Sequence, residues 1–145
     1  MNLDVINTAK QLFNTTWDLF DKGGERTTDD DIDMLHKAHT SRYLWGLCGD
    51  PVNFARGEWQ ISRAYALLKM GEPALLHGQK SLQIAVDNDL DALDMAFGHE
   101  CVARAFAVLG DYKNAQLHKD KGLEIAATMV KDREYAENEI NSIIF

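Results

Sequence analysis

Residues 57–85 read GEWQISRAYALLKMGEPALLHGQKSLQIA, and residues 98–126 read GHECVARAFAVLGDYKNAQLHKDKGLEIA. The second segment aligns with the first after a shift of 41 residues, without a gap, and 12 of the 29 paired positions are identical. Self-similarity at a fixed period of this size is typical of supersecondary units that stack on one another. The chain is therefore predicted to contain a repeated structural unit that organises the rest of the fold.

The repeated unit has the pattern of a helical hairpin. In each copy apolar residues recur at three- and four-residue intervals, which is the spacing of one helix face. A glycine-containing segment interrupts this pattern at residues 69–71 and again at 110–112. The chain has only two prolines and lacks the alternating apolar segments that form strands. We therefore predict an all-α fold of stacked antiparallel helical hairpins with about seven helices.

The predicted helices form one domain over residues 1–145. Proline suits the first position of a helix, so Pro51 is expected to begin the third helix, which then reaches about Met70. Gly71-Glu72-Pro73 is predicted to form a tight turn. The three hairpins are expected at about residues 3–47, 51–86 and 91–131, and a closing helix at about 133–144.

The charge and composition exclude several classes of protein. The formal net charge of −8 argues against a nucleic-acid-binding protein, which would carry a basic face, and against binding to an anionic membrane surface. The N-terminal segment MNLDVINTAKQLF lacks the pattern of a signal peptide, and no apolar segment is long enough to span a membrane. We therefore expect a cytoplasmic protein in which Cys48 and Cys101 are small buried thiols rather than a disulfide.

Small and aromatic residues recur in a fixed order within each copy. The second copy carries Val102-Ala103, Phe106, Gly110-Asp111-Tyr112, Ala115 and Gly122, and the first copy carries Ile61-Ser62, Tyr65, Lys69-Met70-Gly71, Ala74 and Ser81. This order resembles the tetratricopeptide repeat, in which such residues interlock two helices. Glu58 and His99 replace the tryptophan common in that family, and the period of 41 resembles its long-repeat branch, as in kinesin light chains and some bacterial regulators.

The resemblance implies a concave groove lined by the first helix of each hairpin. It places Arg63 and Arg104, which are identical partners in the repeat, in that groove roughly 10 Å apart. Arginine binds carboxylates and phosphates with two hydrogen bonds, so this pair could hold an anionic group. Alternatively, each arginine pairs with an acid of a neighbouring helix and holds the repeats together. The candidate binding residues are Arg56, Trp59, Arg63, Phe97, Glu100 and Arg104.

Two functions are compatible with such a groove. The first is a non-catalytic protein–protein interaction module that binds a peptide segment or a partner helix. The second is a sensor that binds a small anionic ligand between Arg63 and Arg104. The chain carries no nucleophile elbow, phosphate-binding loop or metal-ligand motif, so we expect neither an enzyme nor a cofactor.

The C-terminal segment is apolar, with Ile140, Ile143, Ile144 and Phe145 close together. The terminal units of stacked repeats need a polar outer face to stay soluble. The segment is therefore expected either to fold back over the last hairpin or to form a homodimer through the terminal helices.

Three histidines also follow the period of the repeat. His36, His77 and His118 are each 41 residues apart, and His39 lies one helical turn after His36. Histidines spread over three stacked helices are too far apart to bind one metal ion. We therefore favour half-buried imidazoles over a metal site.

Overall fold

The computed structural model describes residues 3–145, and this part of the chain forms seven α-helices and no strand. The helices are α1 (Leu3–Asp21), α2 (Thr28–Cys48), α3 (Pro51–Leu67), α4 (Gly71–Asp87), α5 (Ala92–Leu109), α6 (Tyr112–Ala126) and α7 (Arg133–Asn141). A short 3₁₀ turn at Gly23–Glu25 connects α1 to α2. The predicted all-α class and number of helices are confirmed.

Each helix packs against the next one in the chain, from α1 on α2 to α6 on α7. The odd-numbered helices also contact one another in order, α1 with α3, α3 with α5, and α5 with α7. The packing is therefore that of successive hairpins, with the odd-numbered helices side by side.

Many of the identical residues of the repeat lie where helices touch. Ala64, Ala74 and Ala85 of the first copy are fully buried, and so are their partners Ala105, Ala115 and Ala126 of the second copy. Small side chains let two helices approach closely. The residues that repeat in the sequence therefore include those at the helix–helix contacts of both repeats.

The turns between the two helices of each repeat have the same backbone conformation at equivalent positions. Lys69 has φ 61° and Gly110 has φ 79°, and these residues are 41 positions apart. Positive φ is the left-handed region that favours glycine. Lys69 therefore adopts in the first repeat the left-handed conformation that Gly110 adopts in the second.

Two predicted boundaries around this first turn are wrong. The third helix ends at Leu67 rather than Met70, and Gly71 begins α4 instead of belonging to a tight turn. Proline is tolerated in the first turn of a helix because its missing N–H has no partner there, so Pro73 does not interrupt α4. A Cβ atom on Gly71 would lie 2.6 Å from the side chain of Leu109, so this position packs directly against α5.

The last two helices are shorter than predicted. The sixth helix ends at Ala126 rather than at about residue 131, and α7 ends at Asn141 rather than at about residue 144. After Ala126 the chain turns and reverses at Asp132, which has φ 63°. The reversal lets Ala136 and Ile140 pack in one buried cluster with Ala126.

The apolar C-terminal segment divides into two parts. Ile140 and Ile143 are buried, whereas Ile144 is 85% exposed and Phe145 is 51% exposed. The Lys119 Nζ donates to the carbonyl of Ile143 at 2.8 Å, which fixes the segment to α6. The first part thus folds back over the last hairpin. The homodimer stays a prediction, which light scattering of the purified protein would test. No helix within residues 3–145 combines the length and apolar character needed to cross a membrane.

Candidate functional site

A cavity of about 210 Å³ opens on the side of the molecule where the odd-numbered helices meet. Five of its ten lining residues are aromatic, and we call it the aromatic cavity. It is lined by Phe13 and Trp17 of α1, by Ala55, Arg56 and Trp59 of α3, by Ser81 of α4, by Leu93, Asp94 and Phe97 of α5, and by Tyr135 of α7.

Four rings form a continuous row along the wall, one from each odd-numbered helix. Trp17 stacks on Trp59 with ring centroids 5.4 Å apart, and Phe97 meets Trp59 edge to face at 5.8 Å. Tyr135 completes the row at 5.5 Å from Phe97. Aromatic pairs at these distances attract one another beyond the burial of their area. The row is buried at Trp59 and reaches solvent at Tyr135, which is 50% exposed.

An ion pair lies in the wall between α3 and α5. The Arg56 guanidinium donates to both carboxylate oxygens of Asp94, from Nε to Oδ1 at 2.8 Å and from Nη2 to Oδ2 at 3.3 Å. Hydrogen bonding to Asp94 raises the pKa of Arg56 despite the opposing effect of burial. Asp94 is buried while the Arg56 side chain is half exposed. The pair adds no net charge to the cavity.

A second charged network lies beside the row of rings and holds α7 in place. Glu100 is fully buried and accepts hydrogen bonds from Trp59 Nε1 at 2.7 Å and Arg104 Nε at 2.8 Å. Arg63 Nη2 donates to Glu139 Oε2 of α7 at 2.8 Å. Arg104 Nη2 donates to the carbonyl of Glu139 at 3.2 Å. Two arginines and two glutamates therefore link α3, α5 and α7.

The two arginines are closer together than the expected spacing of roughly 10 Å between packed helices. Both approach Oε2 of Glu100, Arg63 at 4.0 Å and Arg104 at 2.8 Å. Each arginine has a carboxylate partner within its own chain. This geometry agrees with the interpretation in which the arginines hold neighbouring helices together.

The six candidate residues of the sequence analysis thus fall into two groups. Arg56, Trp59 and Phe97 line the aromatic cavity, whereas Arg63, Glu100 and Arg104 form the network under α7. Asp94 was not among the predicted site residues, although it lies three residues before Phe97 on the same helix face. Trp17, Tyr135 and Glu139 were not predicted either, because their positions depend on how α1 and α7 pack on the other helices.

His77 and His118 each have a partner on the preceding helix of their own repeat, whereas His39 of α2 contacts the next hairpin through Tyr65 and the His77 ring. In the first repeat His77 Nδ1 lies 2.6 Å from Glu58 Oε2, and Arg42 Nε of α2 donates to Glu58 Oε1 at 3.2 Å. Burial by itself raises the pKa of Glu58, but the hydrogen bonds and charges of His77 and Arg42 outweigh it and hold that pKa below its usual range. His39 Nε2 lies 2.9 Å from the Tyr65 hydroxyl, and burial lowers the pKa of His39.

In the second repeat the corresponding pair consists of two histidines. His99 Nδ1 and His118 Nδ1 are 3.0 Å apart. Burial, together with the charges of His118 and Lys121, lowers the pKa of His99 to about 4. Within residues 3–145, no three His, Cys, Asp or Glu side chains converge closely enough to hold a metal ion.

Cys101 lies on α5, two residues after His99, and its side chain is buried. Burial, reinforced by the nearby charge of Glu100, raises the pKa of its thiol. A thiol held protonated in this way is a poor nucleophile.

Comparison of the chain with protein-family models, with curated proteins and with solved structures gave no match.

Proposed function

We propose that this chain is a tetratricopeptide-like interaction module that binds a peptide segment of a partner protein by taking one apolar side chain into the aromatic cavity. The observation that carries the proposal is the row of four rings, one from each odd-numbered helix, around a cavity of about 210 Å³. Buried pockets of this kind, filled by an anchor side chain, supply most of the affinity at many protein–protein interfaces.

The size of the cavity favours a single side chain as its occupant. Pockets for drug-sized ligands have volumes of roughly 300–1,000 Å³, so 210 Å³ is small for a whole metabolite. An aromatic or leucine side chain would contact Trp17, Trp59 and Phe97 without needing a polar partner. Aromatic rings gain both buried area and ring–ring contacts in such a site.

Arg56 suits the backbone of a bound peptide. A guanidinium has five N–H donors, and Asp94 accepts hydrogen bonds from two Arg56 nitrogens. The side chain is half exposed beside the cavity, so its remaining N–H groups can donate to a peptide carbonyl or carboxylate. Asp94 keeps the guanidinium in place when the peptide is absent.

The alternative of an anionic ligand between Arg63 and Arg104 has less support. Glu100 and Glu139 already balance the charge of both arginines, and an anion would have to displace Glu139 from Arg63. The paired state of Asp94 and the buried state of Cys101 likewise favour a binding module over an enzyme.

Selection from a displayed library of random peptides, about 12 residues long, tests the proposal because it requires no known partner. We expect the selected peptides to share one aromatic or leucine residue. Tyr135→Ala should weaken their binding roughly tenfold or more. Tyr112→Ala is the matched control, since Tyr112 is 53% exposed and stacks on Phe145, away from the cavity.

A second variant, Ala55→Leu, fills the cavity from α3 and should abolish binding of the same peptides. Thermal melting of both cavity variants shows whether they are folded. Peptides that bind wild type, Tyr135→Ala and Ala55→Leu with equal affinity would overturn the proposal.

A further inference from the structure

Two imidazoles face each other between α5 and α6, the two helices of the second repeat. His99 of α5 and His118 of α6 have their Nδ1 atoms 3.0 Å apart, and the His118 ring also stacks on Phe106 at 5.8 Å. A neutral imidazole has one donor nitrogen and one acceptor nitrogen. The contact is therefore a hydrogen bond when one Nδ1 carries a proton and the other does not.

This hydrogen bond tolerates one added proton but not two. If the donor ring is protonated on Nε2, its Nδ1–H still donates, and the bond gains the strength of a charged donor. If the acceptor ring is also protonated, two N–H groups and two positive charges face each other at 3.0 Å. The pair then repels, since like charges at this distance disfavour one another.

The surroundings of the pair oppose the second proton. Lys121 of α6 is a positive charge that acts on both rings. The neighbouring side chains of α4 are the uncharged Gln79 and Gln83, and α7 contributes the apolar Ile140 near His99. Burial lowers the pKa of both histidines, that of His99 to about 4.

The pair lies where three helices meet. A Cβ atom on Gly122 of α6 would be 3.1 Å from Ile140 Cδ1 of α7 and 3.5 Å from His99 Cβ of α5. Ile140 belongs to the buried cluster that seats α7 on α5 and α6. A change in the distance between α5 and α6 at the histidines would therefore disturb the packing of α7 on these two helices.

We propose that His99 and His118 form an acid-sensitive latch, which holds α5 to α6 at neutral pH and is released by double protonation, so that α7 loosens. The latch is a property of the unliganded chain and does not depend on the proposed function. Because α7 carries Tyr135, its release would also open one wall of the aromatic cavity.

The sign of the pH effect follows from the lowered pKa. The unfolded chain binds a proton at each histidine near pH 6.5, whereas folded His99 does so only near pH 4. The contribution of the His99–His118 pair to the stability of the fold is therefore fully present above about pH 6.5 and is lost as the pH falls toward about 4.

The chain itself supplies the variant that tests the latch. Glu58 occupies in the first repeat the position that His99 occupies in the second. His99→Glu therefore gives the second repeat the Glu–His pair of the first. We compare urea unfolding of wild type and His99→Glu at about pH 7.5 and about pH 5. The unfolding equilibrium constant of wild type should rise roughly tenfold more than that of the variant over this interval.

His36→Gln serves as the control, because His36 lies on α2 away from the pair. It should behave as wild type. Hydrogen exchange of unliganded wild type at the lower pH should increase in α5, α6 and α7 before α1 to α4. Equal pH dependence of wild type and His99→Glu, or exchange that increases uniformly over all helices, would overturn the latch.

If His99→Glu fails to fold, nuclear magnetic resonance of the wild-type imidazole nitrogens decides the question. The latch requires that His99 titrates well below about pH 6.5, the ordinary value for an imidazole. It is overturned if His99 and His118 both titrate near that ordinary value.

Discussion

The first repeat (residues 57–85) and the second repeat (residues 98–126) share their buried small residues but differ in the polar pair between their helices. Glu58 and His77 face each other in the first repeat, and His99 and His118 occupy the same positions in the second. Protonation of His77 places a positive charge beside the Glu58 carboxylate in the first repeat, whereas protonation of both His99 and His118 places two positive charges together in the second. We therefore expect the two pairs to respond to acid in opposite ways.

Identical residues in the two repeats also have different roles. Arg63 donates to the side chain of Glu139, whereas Arg104 donates to Glu100 on its own helix and to the backbone of α7. Their surroundings differ because the second repeat lies directly under α7 and the first does not. Position in the stack, and not residue identity alone, decides what each arginine does.

The largest effect is expected from Glu100→Ala, which removes the acid that the two arginines share. Glu100 is fully buried, and its loss leaves Trp59 Nε1 and Arg104 Nε without their acceptors. Removing one partner of a buried ion pair costs about 3–5 kcal/mol. Urea unfolding at neutral pH should show a loss of stability in this range.

Glu139→Ala tests whether the two arginines depend on different partners, because it removes the side chain that pairs with Arg63 but keeps the backbone carbonyl that accepts from Arg104. Glu139 is partly exposed and pairs with Arg63 through its side chain, so its loss should cost only about 1 kcal/mol. A loss of stability in Glu100→Ala that is no larger than in Glu139→Ala would show that the buried network is not centred on Glu100.

An intermediate effect is expected from Glu58→His, which gives the first repeat the pair of the second. In wild type the pKa of Glu58 is lowered, so its stabilising contribution is present above about pH 4.5 and is lost only below it. A histidine there should make the loss begin below about pH 6.5. Unfolding measured from about pH 7.5 to about pH 5 should show a steeper decline than in wild type. A decline parallel to that of wild type would contradict this assignment.

The smallest effect concerns the turn that both hairpins share. Lys69→Gly places glycine at φ 61°, which relieves backbone strain but makes the unfolded chain more flexible. We expect a gain of about 0.5 kcal/mol. The reciprocal Gly110→Lys, at φ 79°, should cost about 1 kcal/mol. Thermal melting of the two variants measures both, and shifts of equal sign would show that the two turns are not equivalent.

Much of the fold was predictable because the residues at the helix–helix contacts recur at equivalent positions of the two repeats. The buried alanines recur at the period of the hairpin, and the glycine and Pro51 signals place most helix ends. The end of α6 was not predictable in this way. The chain leaves the helix after Ala126 so that α7 can pack back on it, and α7 has no counterpart in the repeat.

The candidate site was predictable only in part for the same reason. Trp59 and Phe97 lie on the predicted groove helices, and they line the cavity. The acid that pairs with Arg63 lies 76 residues further along the chain, on α7. Spacing within a helix cannot reveal such a partner, because it depends on how a distant element docks. The sequence therefore predicted the residues of the wall better than their partners.

The hydrogen bond from Trp59 to Glu100 joins the same position of two successive repeats, since these residues are 41 apart. An array built from one consensus repeat would place identical residues against each other at this point. Two glutamates would bring two buried carboxylates together, and two tryptophans would leave an indole N–H without an acceptor. Neither residue could therefore occupy this position in both copies, and duplication of one repeat would not reproduce the hydrogen bond that joins Trp59 to Glu100.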